Sequence, residues 1–186
     1  MIAAVIPHDD FLSHGQKNRM TSDLEPIVIV TTGGTIDKAY FDALSAYHVG
    51  DTVVAKLLGI AQVTQPYRVV ELFRKDSLEL TEADRATLRQ AIAELDARRV
   101  VVTHGTDTMA ESAKALVAIS GKTIVLTGAL APARFAESDA PFNLGMAFAA
   151  AQTLPPGVYI TMNGRVMRGD KARKDRQQSR FVSDDD

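Results

Sequence analysis

The chain of 186 residues contains no cysteine. Disulfides, thiolate metal sites and thiol catalysis are excluded, and a reducing compartment suits the sequence. A dominant charge is also missing. The formal net charge of −2 offers no long-range field for nucleic acid or a membrane surface, and no run is long and apolar enough to span a bilayer. The N-terminal "MIAAVIPHDD" opens on a short apolar stretch, but it lacks a basic flank and polar residues follow, so a secretory signal is not expected. Residues 1–22 read as a disordered extension, although an ordinary N-terminal arm fits as well, and residues 23–186 read as one domain. The four histidines, His8, His14, His48 and His104, form no pair with carboxylates at zinc-like spacing. No metal is expected, and His104 reads as structural.

Five apolar runs have the character of strands buried on both faces: Ile27–Thr32, Arg68–Arg74, Arg99–Thr103, Thr123–Thr127 and Gly157–Met162. Helical patterns lie between them. Thr81 with Asp84 forms a capping-box pattern ahead of Leu88, Ile92 and Leu95. Ala110, Ala113, Leu116 and Val117 make a second apolar stripe, Asp139 and Pro141 open a third helix, and Val53–Leu58 suggests a shorter one. Strands alternating with helices imply right-handed crossovers and a parallel sheet. Residues 33–50 form a long connection without a period, of the kind that often carries function. The tail from Asn163 to Asp186 shows no dependable strand or helix.

Each strand is followed by a polar turn. In order these are "TGGTI", "RKDS", "THGTDTM", "TGALAP" and "MNGR". A parallel sheet brings all five to its carboxyl edge, where open α/β folds bind ligands, so a small polar ligand is expected there. A phosphate loop does not fit. "GGTI" lacks the later glycine of the dinucleotide fingerprint. "SGKT" at Ser120–Thr123 has Leu116 where a P-loop needs glycine, and it precedes a strand instead of following one. Nucleophilic catalysis fits the residue types better. Threonine recurs at the edge, and a threonine hydroxyl attacks an amide only with a base or relay beside it. Thr106 and Asp107, Lys171 or Lys174, and Tyr40 or Tyr47 are candidates for that help. Each also has a plain structural reading: a turn at Gly33–Gly34, a helix cap at Thr106–Asp107, loop anchors for the tyrosines and a solvated basic tail for the lysines.

Taken together, "TTGGTID", "SAYHVGD", "KDSLEL", "VVTHGTDTMAESA", "SDAPFNLGMA" and "VYITMNGRVMRGDKARK" resemble, in order, segments of the bacterial-type L-asparaginases, over roughly residues 26–175. The resemblance implies a three-layer α/β fold with a mostly parallel sheet, corresponding to the N-terminal domain of that family, in a short single-domain form. It implies Thr35 as nucleophile, Tyr47 as the loop tyrosine beside it, and Thr106, Asp107 and Lys174 as the second catalytic set, with Lys171 as fallback. Asp76 and Ser77 match the segment that grips the substrate's α-amino and α-carboxylate groups, and Gly34 and Gly105 are expected to line the same site. Asp37 stands where long members of the family carry a small residue, and no catalytic role is expected of it.

The function expected is conversion of L-asparagine to L-aspartate and ammonia through a β-aspartyl ester on Thr35. The enzyme is expected in the cytoplasm, without a cofactor, and as a homodimer or larger homo-oligomer, with no nucleic-acid or membrane partner. A glutaminase or other small-amide amidase, and an amino-acid-binding module without turnover, are the competing readings.

Overall fold

The computed structural model describes residues 5–6, 24–41 and 46–185. A sheet of seven strands forms its centre, in the order β1-β5-β2-β6-β7-β8-β9. The five inner strands, β5 (Tyr67–Lys75), β2 (Ile27–Gly33), β6 (Arg99–Thr103), β7 (Thr123–Thr127) and β8 (Gly157–Met162), run parallel. They are the five expected strands. β9 (Arg165–Arg168) closes one edge antiparallel to β8. At the other edge β1 (Val5–Ile6), from the segment expected to be a loose extension, pairs antiparallel with β5. The rest of residues 1–23 lies outside the described residues.

Alternation along each strand creates two cores, because successive side chains point to opposite faces. Val28, Val30, Val100, Val102, Ile124 and Leu126 face one way. They meet Leu88 and Ile92 of α2 (Glu82–Glu94) and Ala110, Ala113 and Leu116 of α3 (Met109–Leu116). Ile27, Ile29, Val101, Val125 and Tyr159 face the other way. They meet Val54 and Leu58 of α1 (Val54–Ile60) and Leu144, Ala147 and Ala151 of α4 (Ala140–Thr153). The result is the expected three-layer α/β arrangement. Thr81 and Asp84 form the reciprocal capping box at the start of α2. Val117 departs from its expected place in the α3 stripe. It is the C-cap residue and exposed, because the helix ends before its side chain turns inward. Lys122 of "SGKT" points to the opposite end of the sheet, where its ammonium donates to the carbonyls of Leu95 and Ala97. None of the described helices is long and apolar enough to cross a membrane.

Two segments expected to be irregular carry regular structure. Residues 33–50 contain a 3-10 turn at Thr35–Asp37 and a hairpin of β3 (Lys38–Phe41) and β4 (Ala46–Val49). The tail forms β9 and then a second hairpin, β10 (Ala172–Asp175) with β11 (Arg180–Ser183). Its strands, "ARKD" and "RFVS", are too polar to read as strands in the sequence, because one face is solvated and pairing is antiparallel. Ala172 and Phe181 supply the apolar anchor, both buried in the core on the α3 side. Phe181→Ala should cost about 3 kcal/mol of stability, measured as a lowered urea midpoint at unchanged slope. A change within a few tenths of a kcal/mol would show that the hairpin is not held by this side chain.

Candidate active site

The strand order changes direction around β2: its first neighbour in sequence, β5, lies on one side, and β6 lies on the other. Such a switch point opens a crevice at the carboxyl ends of the two diverging strands. β2 ends at Gly33, and the turn after it carries Gly34 and Thr35. The turn after β6 carries Gly105, Thr106 and Asp107.

These turns are packed backbone to backbone. Gly33 and Gly34 have φ of 92° and 86°, a region that side chains disfavour. A Cβ at Gly34 would collide with the backbone nitrogen of Gly105, and one at Gly105 would stand 2.5 Å from Ser77 Oγ. The turns after β2, β6 and β5 therefore touch in sequence through Gly34, Gly105 and Ser77. Polar bonds lock the contact. Gly34 N–H donates to Lys75 O at 3.0 Å, Thr32 Oγ1 to Thr103 O at 3.0 Å, and Thr108 Oγ1 to Ser77 O at 2.7 Å. Thr35 and Thr106 are each next in the chain to one of the touching glycines, so the two turns that carry them are packed together.

Lys174 arrives from β10. Its ammonium donates to Thr106 Oγ1 at 2.7 Å and to Asp107 Oδ1 at 2.8 Å. The contact spans 67 and 68 residues of sequence and depends on the tail hairpin. Lys171, the fallback, is exposed at the entry to β10. Thr106 and Asp107 do not act as caps: α3 has Thr108 at its N-cap position, with no side-chain cap bond. Asp76 accepts from Lys38 at 2.6 Å and caps its own 3-10 turn through Leu78 N–H. Burial raises its pKa, but the Lys38 and Leu78 hydrogen bonds and the Lys38 charge outweigh this and hold it below the usual range. Tyr47 lies in β4 opposite Tyr40 of β3, so the loop tyrosines are register partners in the hairpin that follows Thr35. His104 is fully buried, and burial pushes its pKa down to about 4. Its Nδ1 is 2.7 Å from Gly105 O and its Nε2 is 2.8 Å from Ser112 Oγ. A carbonyl only accepts, so the proton sits on Nδ1. His104 shapes the turn as a neutral ring. Among the described residues no cluster of three or more His, Asp or Glu side chains is placed to hold a metal.

This geometry has a counterpart among known proteins. The family model described as "Asparaginase, N-terminal" matches residues 26–182. The chain belongs to the asparaginase family. It is 31% identical over 159 residues to an L-asparaginase of Thermococcus kodakarensis, covering 80% of this chain and 47% of that protein. It is 33% identical over 167 residues to a glutaminase-asparaginase of Pseudomonas aeruginosa, covering 81% and 46%. Solved asparaginases share the fold. The thermostable L-asparaginase of T. kodakarensis superposes with a TM-score of 0.75 at 28% identity, over 85% of this chain and 51% of that one. A probable cytoplasmic L-asparaginase of Campylobacter jejuni gives 0.73 at 27%, over 86% and 51%. The chain spans about half the length of these family members.

Asp37 is the residue that sequence reasoning underrated. It is 1% exposed, and its carboxylate accepts from Val53 N–H at 2.9 Å. Its backbone also bonds to Gly34 O and Gly50 N, so it joins the Thr35 turn to the base of the hairpin and the start of α1. The only signal in the sequence was a charge where family members carry a small residue. Burial raises its pKa from the ordinary 3.8 to about 6, opposed by the Val53 and Thr52 hydrogen bonds. A carboxyl group whose folded pKa is raised releases its proton later than in the unfolded chain, so stability falls as pH rises from about 4 to about 6. Asp37→Asn should therefore be more stable than the parent at pH 7, by on the order of 2–3 kcal/mol. The gain should vanish below pH 4 in thermal melts. An equal difference at both pH values would contradict this account.

Proposed function

We propose that this chain is an amidohydrolase that converts L-asparagine to L-aspartate and ammonia, with Thr35 as nucleophile. The observation that carries the reading is the contact of Lys174 with both Thr106 and Asp107, beside a glycine crevice that holds Thr35. Thr35 Oγ attacks the side-chain amide carbon, and its proton passes to a base. Backbone N–H groups of the two glycine turns stabilise the tetrahedral oxyanion. The Gly34 N–H is not among them, since Lys75 O takes it. Collapse of the intermediate breaks the C–N bond, protonates the leaving nitrogen and releases ammonia, leaving a β-aspartyl ester on Thr35. The Lys174–Thr106–Asp107 set then assists water in hydrolysing that ester, and Tyr47 belongs to the hairpin that covers the site. Asp76, Ser77 and Gly105 bind the amino-acid head group. The chemistry calls for no cofactor.

Family membership supports the reaction class, and the name of the Thermococcus relative supports asparagine as substrate. Glutamine is a second substrate worth testing, since the Pseudomonas relative is named a glutaminase-asparaginase and one methylene is discriminated by only about 10–200-fold. We place the enzyme in the cytoplasm, as the name of the Campylobacter relative suggests, and as a homodimer or larger homo-oligomer. Thr35→Ala should reduce ammonia release from L-asparagine by at least about 1,000-fold. Thr106→Ala and Lys174→Met should each impair it severely, and Lys171→Met should not. Full turnover by Thr35→Ala would sink the mechanism, and sensitivity to Lys171 in place of Lys174 would reassign the relay.

A further inference from the structure

We propose that Lys38 is the substrate's α-carboxylate receptor, and that the Lys38–Asp76 ion pair opens to take an amino-acid zwitterion, carboxylate on Lys38 and ammonium on Asp76. The inference rests on the amino-acid substrate proposed above and names a residue for one end of it.

Charge accounting around the three turns leads there. The head-group segment Asp76–Glu79 reads "DSLE": two acids, no cation, and an exposed leucine at Leu78. A carboxylate brought to this segment finds the Ser77 hydroxyl as a donor, but the segment's own charges only repel it unless a cation comes from elsewhere. Three nearby cations are otherwise engaged, and Arg134 lies by Gly50 and Asp37 at the base of the hairpin. Lys75 donates to Asp84 at 2.8 Å, Arg74 pairs with Glu71 and Asp51 at 2.6 Å each, and Lys174 holds Thr106 and Asp107. Lys38 lies three residues after Thr35, and its ammonium stands 2.6 Å from Asp76 Oδ2.

The pair is built to be shared. Its side chains are 27% and 28% exposed, and a pair in contact with solvent is held only weakly. The acid is fixed while the base is not. Asp76 Oδ1 is tied to Leu78 N–H and the Asp76 N–H to Glu79, whereas Lys38 reaches across on a flexible stem. Inserting a zwitterion between them leaves net charge unchanged and gives each side chain a new opposite charge in exchange for the one it releases. Each new contact is a charge-assisted hydrogen bond, stronger than a neutral one.

The test compares ligands with and without the α-carboxylate. Ammonia release is measured from L-asparagine and from 3-aminopropanamide, which is asparagine without that group. Binding of L-aspartate and of β-alanine is measured by calorimetry, on the parent chain, Lys38→Met and Lys38→Arg. Lys38→Met should lose about tenfold to a hundredfold of the parent's preference for asparagine and of its aspartate affinity. The two ligands without the α-carboxylate should change less than about threefold, and Lys38→Arg should restore part of the preference. Equal losses on both ligands of a pair would overturn the proposal and leave Lys38 as a structural partner of Asp76. Absence of aspartate binding to the parent would overturn it too. A parent that binds aspartate through Lys38 but releases no ammonia would sink the reaction proposed above and leave this assignment standing.

Discussion

The site depends on how closely three backbone turns approach one another. Gly34 lies against Gly105, and Gly105 against Ser77, at distances that leave no room for a Cβ on either glycine. Parallel strand register brings the ends of β2, β5 and β6 to one edge, and the glycines let those ends touch. A side chain at Gly34 would push the Thr35 turn off the β6 turn, and Thr35 and Thr106 would be driven apart. The hydroxyls of Thr32 and Thr108 then close the remaining freedom by donating to carbonyls of the neighbouring turns. Rigidity here comes from main-chain proximity, and the catalytic candidates are mounted upon it.

Charge is arranged around that frame in pairs of graded exposure. Lys174 has 14% of its side chain exposed and Asp107 has 38%, so the ammonium is partly desolvated while its partner meets solvent. Screening is weaker there than at the surface pairs, which favours a defined hydrogen-bond geometry over a fluctuating one. Asp37 is the outlier. It is a buried acid that accepts from a backbone N–H and the Thr52 hydroxyl, at the junction of the Thr35 turn, the β3–β4 hairpin and α1. Its hydrogen bonds tie the hairpin carrying Tyr47 and the turn carrying Thr35 together at their common base.

Much of this was legible beforehand, and for identifiable reasons. The five inner strands declared themselves because parallel strands buried on both faces must be apolar throughout, as "IVIV", "RVVVT" and "TIVLT" are. The Thr81–Asp84 box announced α2 because capping chemistry is local. The two hairpins were hidden. "KAYF" and "ARKD" are edge structures with one solvated face, and their pairing is set by residues several positions away. The reach of Lys174 to Thr106 depends on the second hairpin and on Phe181 beneath it, so composition alone showed only a basic tail. The Lys38–Asp76 pair was equally invisible, since nothing local links positions 38 and 76.

Acylation of the chain tests the central claim most directly. The Lys174→Met variant, in which ester hydrolysis should be slowed more than attack, is mixed with L-asparagine, quenched in acid and digested for mass spectrometry. The account predicts a mass increment of one aspartyl residue on the peptide that carries Thr35, formed together with one equivalent of ammonia. An increment on the peptide that carries Thr106, or ammonia release by the parent chain with no trapped ester in any variant, would contradict it.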